Sequence, residues 1–135
     1  MEPFDPLFAA ARAAREKAHA PYSRFHVGAA VIDEAGRIHA GCNIENASYP
    51  EGWCAETSAI SHMIMAGGRR IVAALVVAPR ITGGRFCTPC GGCRQRLAEF
   101  SGPDTPVYVS DPEGAHAVFA MAALLPEGFS LEGSE

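Results

Sequence analysis

The sequence has few aromatic residues, no excess of positive charge and no long apolar segment. Its 135 residues include one Trp, and 11 Lys and Arg stand against 15 Asp and Glu. A polynucleotide-binding surface needs basic side chains and exposed rings for stacking, and a membrane span needs a longer apolar run. The opening "MEPFDPLFAA" also lacks the basic start and apolar centre of a secretory signal peptide. We therefore expect a cytoplasmic protein that binds neither nucleic acid nor membranes and acts on a small or neutral molecule.

Disulfide bonds are also not expected, although the chain contains five cysteines. Without a secretion signal, reducing conditions keep thiols free, so metal binding or catalysis explains these cysteines better. The hydrophobic content of 48% is enough to bury a core. We expect a single domain spanning residues 1–135.

Apolar periodicity and turn residues predict alternating helices and strands. Asp5 and Pro6 indicate a helix start, and Thr88 with Pro89 indicates another. The run "RIVAALVVAP" is apolar throughout, as expected for a strand covered on both faces. The order αββαβαβ, followed by a further short strand and helix, favours an α/β layered fold around a mixed sheet. The predicted segments are helix 5–20, hairpin strands 26–33 and 37–43, loop 44–52, helix 53–67, strand 70–79, helix 90–100, strands 105–111 and 115–120, and a short helix from 121.

Three cysteines stand at the predicted starts of two helices. Cys90 and Cys93 are three residues apart and fall on one helix face, and Cys54 begins the preceding helix. Side chains at a helix start lean back past the N-terminus, whose partial positive charge favours anionic ligands. Two such helices directed at one point would supply three thiolates. Three protein ligands on tetrahedral zinc leave the fourth position for water, as in catalytic zinc sites.

A carboxylate follows the first of these cysteines. Glu56 is two residues after Cys54, and residues two apart do not share a helix face. Glu56 is therefore expected beside the zinc-bound water and the substrate, and not on the metal. There it could take a proton from water and return it to a leaving group.

Other interpretations of the cysteines remain open at this point. A lone Cys-x-x-Cys is also typical of a structural zinc knuckle or a redox pair. Cys42 or Cys87 could complete a closed site of four cysteines. Cys42 is interpreted as a small buried residue of a strand, and Cys87 as a loop or core thiol too near Cys90 for tetrahedral geometry. The third cysteine with its nearby glutamate favours catalysis.

The motifs "CAE" at 54–56 and "PCGGCRQ" at 89–95 resemble the zinc-dependent cytidine deaminases of the small homotetrameric type. The segments "YSRFHVGAA", "GCNIENASY" and "LLPEGF" match the family in the same order and extend the resemblance over nearly the whole chain. The resemblance implies a three-layer α/β/α fold with a mixed central sheet. It also implies one Zn²⁺ per subunit, and deamination of cytidine and deoxycytidine to uridine and deoxyuridine in pyrimidine salvage.

The resemblance also assigns roles to individual residues. The zinc ligands it implies are Cys54, Cys90 and Cys93, with Glu56 as the proton shuttle. Asn43 and Glu45 would bind the ribose hydroxyls, whereas composition alone marks them as polar loop residues. Phe25 would stack on the base, the backbone of Ala55 would meet the pyrimidine, and Phe129 would reach into a neighbouring subunit of a homotetramer with shared active sites.

The sequence departs from the family at one position beside the site. Relatives of this type carry Arg directly after the catalytic glutamate, where this chain has Thr57. Three thiolates and a dication sum to −1, and a bound hydroxide makes −2, so less compensation should make the zinc less Lewis acidic. Arg94 and the two helix N-termini are candidate compensators. This departure leaves deamination of a modified nucleoside such as blasticidin S as an alternative substrate class, and a structural zinc-binding module as an alternative without catalysis.

Overall fold

A computed structural model describes residues 3–131 of the chain as a sheet with helices on both faces. Hydrophobic side chains at strand and helix spacing form these elements, as the sequence patterns predict. The elements in chain order are α1 Phe4–Arg15, β1 Gly28–Asp33, β2 Ile38–Cys42, α2 Ala55–Met65, β3 Ile71–Val77, α3 Gly91–Glu99, β4 Pro106–Ser110, β5 His116–Ala120 and α4 Met121–Leu124.

The sheet is mixed and has five strands in the order β2-β1-β3-β4-β5. Strands β3 and β4 run parallel, while the other neighbours are antiparallel. The apolar strand β3 lies at the centre and is buried at six of its seven residues, with only Val72 exposed. This confirms the expectation that the run "RIVAALVVAP" forms a strand covered on both faces.

Two hydrophobic clusters cover the two faces of the sheet. Helix α1 inserts Phe4, Leu7 and Ala11 against one face, where they meet Leu75 of β3. On the other face, α2, α3 and α4 share one cluster with β1, β3 and β4. The predicted three-layer α/β/α architecture is confirmed, because alternate residues of the central strand enter opposite layers.

Two predicted helix starts differ from the structure. Helix α1 begins at Phe4 with Pro3 as its N-cap, so Asp5 lies in the first turn and is not the cap. Helix α3 begins at Gly91 with Cys90 as its N-cap. The Thr88 side chain is bonded elsewhere, because its Oγ1 accepts a hydrogen bond of 2.8 Å from Arg94. The cap prediction for Thr88 and Pro89 is therefore wrong by two residues.

The N-terminus of α2 is held close to the sheet by a glycine of β2. A Cβ on Gly41 would lie 2.5 Å from the Ala59 nitrogen, so only glycine permits this approach. The Ser58 hydroxyl donates a hydrogen bond of 3.0 Å to the Cys42 carbonyl at the same place. Among the described residues, no helix is long and apolar enough to cross a membrane.

Candidate active site

Three cysteine side chains converge where α2 and α3 begin. Cys54 is the N-cap of α2, Cys90 is the N-cap of α3, and Cys93 lies in the first turn of α3. Their sulfur atoms all lie within 4.8 Å of one another. Thiolates on one tetrahedral zinc lie about 3.8 Å apart, since each Zn–S bond is about 2.3 Å. The three thiols therefore suit a zinc ion with small adjustments of their side chains.

The other two cysteines do not join this cluster. No fourth His, Cys, Asp or Glu within residues 3–131 completes the group. Cys42 ends β2 and is half-buried, in agreement with its interpretation as a strand residue. The described part of the chain therefore does not form a closed site of four cysteines. A zinc ion held by these three would have one coordination position left for a non-protein ligand.

The thiols differ in acidity because they bond to one another. Hydrogen bonding from Cys93, with a further contribution from Cys90, lowers the pKa of Cys54 to about 6. The pKa of Cys93 is raised, chiefly because its thiol donates to Cys54 and also because it is buried. Cys54 is therefore the first of the pair to ionise. A thiolate is the form that binds metal.

Glu56 lies in the first turn of α2 and is only 6% exposed. Burial raises the pKa of its carboxyl group above the ordinary value, and the charge of Cys54 raises it further. A carboxyl group with a raised pKa is suited to accept a proton and to return it. Its place beside the cysteines is the one that the sequence predicts.

A cavity of about 210 Å³ opens directly over Cys54, Cys90 and Glu56. It brings three of the other predicted site residues together, since Phe25, Asn43 and Ala55 also line it. A wider groove of about 320 Å³ adjoins this cavity and is lined by Glu45, Tyr49 and Trp53, among others. Asn43 and Cys54 line both spaces, so one ligand could occupy the cavity and the groove together.

Asn43 and Glu45 hold the loop that carries Phe25. The Asn43 amide donates to the Phe25 carbonyl at 2.8 Å and accepts from the Val27 nitrogen at 2.9 Å. The Glu45 carboxylate accepts hydrogen bonds from the Tyr22 nitrogen and from the nitrogen and hydroxyl of Ser23. The hydrogen bond with the Ser23 hydroxyl holds the pKa of Glu45 below its usual value, so this group stays ionised.

Both side chains keep hydrogen-bonding capacity for a ligand. Asn43 retains one N–H and one lone pair, and a carboxylate offers about four acceptor sites, of which Glu45 uses three.

Phe129 does not line the cavity of its own chain. Its ring is 69% exposed and borders a separate hollow beside Ala98 and Leu125. Two hydrogen bonds with the Gln95 side chain, of 2.9 and 3.1 Å, fix its backbone to α3. Gln95, two residues after Cys93, therefore fixes the backbone of Phe129, while the side chain of Phe129 stays exposed.

Sequence reasoning missed the role of two residues near the cluster. Cys87 lies in a loop, as expected, but it also lines the cavity with Glu56, and its nearness to Cys90 in the sequence was the available signal. Burial raises the pKa of Cys87, which keeps its thiol neutral. Arg94 was a candidate compensator, but its guanidinium bonds the Pro89 and Leu124 carbonyls and the Thr88 hydroxyl. The cation that lowers the pKa of Cys54 is instead Arg96.

Residues 2–109 match the family model described as the cytidine and deoxycytidylate deaminase zinc-binding region. A cytidine deaminase of Sporosarcina psychrophila is 44% identical over 128 residues, which cover 95% of this chain and 92% of that protein. A second, from Halalkalibacterium halodurans, is 44% identical over 119 residues and covers 88% of each chain.

Solved structures of cytidine deaminases have the same fold. The structure from Burkholderia pseudomallei has a TM-score of 0.83 at 42% identity and covers 92% of this chain and 97% of its own. The one from Mycobacterium tuberculosis has a TM-score of 0.81 at 34% identity and covers 97% and 100%. The matched region is described as zinc-binding, and the three thiols of the cluster suit a zinc ion. The chain therefore belongs to the zinc-binding family of cytidine and deoxycytidylate deaminases.

Proposed function

We propose that this protein deaminates cytidine and deoxycytidine by hydrolysis, giving uridine or deoxyuridine and ammonia. The observation that carries the proposal is a cluster of three cysteines, two of which line one cavity together with a buried glutamate. The chain's similarity to cytidine deaminases over nearly its whole length supports the same reaction.

The zinc would be held by Cys54, Cys90 and Cys93, one ion per subunit. Bound there, it would act as a Lewis acid that brings the pKa of a water molecule towards about 7. The chain contributes soft sulfur ligands, two helix N-termini beside them, and an adjoining cavity for the substrate.

Glu56 would carry the protons of the reaction. Hydrolysis at C4 of cytosine moves both protons of the attacking water: one goes to ring nitrogen N3 and the other to the amino group, which leaves as ammonia. The carboxyl of Glu56 lines the cavity and has a raised pKa, so it can accept the first proton and return it to the substrate.

The two adjoining spaces suit the two parts of a nucleoside. The base would enter the inner cavity, against the Phe25 ring and the backbone of Ala55, and the sugar would lie in the outer groove. Asn43 and Glu45 would bind the ribose hydroxyls with the hydrogen-bonding capacity they retain. The negative charge of Glu45 near the sugar disfavours a phosphate at the same place.

A substrate panel tests this proposal. Purified protein should deaminate cytidine and deoxycytidine much faster than free cytosine or cytidine monophosphate, followed by the loss of ultraviolet absorbance. Blasticidin S belongs in the panel, and a preference for it would replace the proposed substrate. Absence of turnover, together with insensitivity to a zinc-directed transition-state analogue, would indicate a structural zinc module.

Metal analysis tests the ligand set separately. We expect about one zinc per chain in the wild-type protein and a large loss after Cys90→Ala, because a structural or catalytic zinc needs each thiolate. Cys42→Ala is the matched control and should keep its zinc. Full zinc in Cys90→Ala would remove Cys90 from the site.

We further infer that the enzyme is cytoplasmic, consists of a single domain and acts in pyrimidine salvage. We also infer that it forms a homotetramer whose subunits share their active sites. Support for the assembly comes from exposed apolar side chains that a monomer would leave in water, such as Tyr49, which is 78% exposed, and Phe129. An interface would cover them, and the exposed Phe129 is held at the surface by the hydrogen bonds between its backbone and Gln95 of α3.

A further inference from the structure

The side chain of Arg96 folds back over the first turn of α3. Its Cα lies in the last turn of that helix, but its Nη1 is 3.3 Å from the point where a Cβ on Gly92 would stand. The absence of a side chain at residue 92 thus makes room for the guanidinium. Gly92 lies in the first turn of α3 with Cys93, and Cys90 is the N-cap of that helix, so the guanidinium lies over the helix end that carries two of the three cysteines.

This placement has no explanation in the neighbouring protein groups. Arg96 is exposed, and among residues 3–131 its guanidinium has neither a hydrogen-bond partner nor an ion pair. It does not pair with Glu99, three residues further along the same helix. A cation over a helix N-terminus also meets the positive end of the helix dipole, which is unfavourable unless anions are present.

The anions that explain the placement are the thiolates. Cysteines bind a metal as thiolates, and the helix end over which the guanidinium lies carries two of them, Cys90 and Cys93. With a dication bound, three thiolates leave the cluster at −1, so a cation nearby is stabilising. Arg94, the other nearby guanidinium, is fully engaged with two carbonyls and a hydroxyl.

A hydroxyl contacts the cluster from the opposite helix. Thr57 of α2 places its Oγ1 3.9 Å from Cys93 Sγ. A hydroxyl that donates to a thiolate disperses part of its charge. The cluster is therefore approached by a neutral donor from α2 and by a cation from α3.

We propose that Arg96, together with the Thr57 hydroxyl, offsets the negative charge of the zinc–thiolate cluster and strengthens zinc binding. Arg96 is a positioning residue, because it acts through the thiolates and not on the substrate. The inference rests on the zinc ligand set given under the proposed function.

The test compares three variants of the zinc-loaded protein, Arg96→Gln, Arg96→Lys and the control Arg70→Gln. Arg70 is also an exposed arginine, beyond the opposite end of α2, so its loss changes the net charge equally. Zinc affinity is measured by competition with a chromophoric chelator at one pH, in low salt and in about 1 M salt. Circular dichroism confirms that each variant is folded.

We expect Arg96→Gln to bind zinc about three- to tenfold more weakly in low salt. Loss of a group that contacts a metal ligand typically weakens metal binding roughly 10- to 100-fold. Because Arg96 is exposed, its effect on zinc affinity should lie at or below the lower end of that range. Arg96→Lys and Arg70→Gln should stay within about twofold of wild type. The loss should shrink in high salt, since about 1 M salt reduces the screening length to about 3 Å.

Three results would overturn the inference: equal affinity in Arg96→Gln and Arg70→Gln, an equal loss in Arg96→Lys and Arg96→Gln, or a loss independent of salt. Wild-type protein that holds zinc and deaminates cytidine upholds the proposed function in each of these cases. Wild-type protein without zinc would instead contradict the ligand set itself.

Discussion

At the scale of single residues, the site depends on what α2 and α3 place at their first turns. Cys54 and Cys90 are both N-caps, so their side chains extend beyond the helix ends, while Glu56 is turned into the cavity and buried. Neither cap uses a side-chain hydrogen bond to its own helix. These cysteines thus give up the capping bond that Ser or Asp would make, and their sulfur atoms remain available to a metal.

Glu56→Gln is expected to abolish most turnover. Glutamine has nearly the same shape but cannot accept and return the proton, and positioned proton transfer contributes about 10²- to 10⁴-fold. The measurement is kcat on cytidine, with zinc content and thermal unfolding followed in parallel. Both of these should stay near wild type. Turnover close to that of the wild type would exclude Glu56 as the proton carrier.

At the scale of elements, the turn between β1 and β2 is held together by one buried carboxylate. Asp33 accepts hydrogen bonds from the backbone nitrogens of Ala35 and Arg37. The Arg37 Nε and the His39 Nε2 each lie 2.8 Å from its second oxygen. Burial alone would raise the pKa of Asp33, but hydrogen bonding from His39 and from the turn outweighs it and lowers the pKa from 3.8 to about 2.

This lowered pKa predicts an acid-sensitive turn. A carboxyl group with a lower pKa in the folded state stabilises the fold above its unfolded-state pKa, and that contribution is lost as the pH falls through the folded-state pKa. Stability should therefore decline from about pH 4 to about pH 2. Asp33→Asn should lower stability at neutral pH and flatten this decline, as urea unfolding across that range would reveal. An unchanged acid profile in Asp33→Asn would contradict the assignment.

The contact between α2 and β2 is a second feature at this scale, and Gly41→Ala tests it. The new methyl group would stand 2.5 Å from the backbone of Ala59, so α2 must move away from the sheet. Overpacking of this kind costs about 1 to 3 kcal/mol in the free energy of unfolding. Because Cys54 and Glu56 begin the same helix, zinc affinity should fall as well.

Gly36→Ala is a poor control for that experiment because Gly36 has a positive φ of 82°. Gly91→Ala is a better control for the free energy of unfolding, since a Cβ on Gly91 meets nothing within 4 Å. Equal stability of Gly41→Ala and Gly91→Ala would show that the sheet accommodates the methyl group.

At the scale of the whole molecule, the chain leaves apolar side chains exposed on several surfaces. Phe129 and Leu131 near the C-terminal end are 69% and 66% exposed, and Tyr49 and Trp53 border the outer groove. Soluble monomers seldom expose several large apolar side chains close together. A closed symmetric assembly would bury them, and closed symmetry is usual for soluble homo-oligomers.

Phe129→Ala is expected to weaken substrate binding more than it weakens folding. If the ring enters a neighbour's site and stacks near the base, its loss should raise KM about two- to tenfold, since aromatic contacts contribute about 0.5 to 1.5 kcal/mol. Activity should also fall on dilution as subunits separate. Sedimentation and kinetics at matched concentrations are the measurements. A fully active monomer would rule out the shared site.

Sequence patterns were sufficient for the order of elements and for which cysteines gather at the starts of two helices. The apolar run of β3 and the hairpin of β1 and β2 have local periodicities that indicate their structures. The motif containing Cys54 and Glu56 and that containing Cys90 and Cys93 each lie within one helical turn. Spacing of this kind is a local property, so it predicts which side chains share a helix end.

Only the tertiary structure decided how these local pieces meet. Cys54 reaches Cys93 because α2 and α3 lie on the same face of the sheet, and no local pattern specifies that approach. The direction of a long side chain also depends on the space around it. Arg94 turns to backbone carbonyls, while Arg96 folds over Gly92, and no local pattern in the sequence specifies this difference.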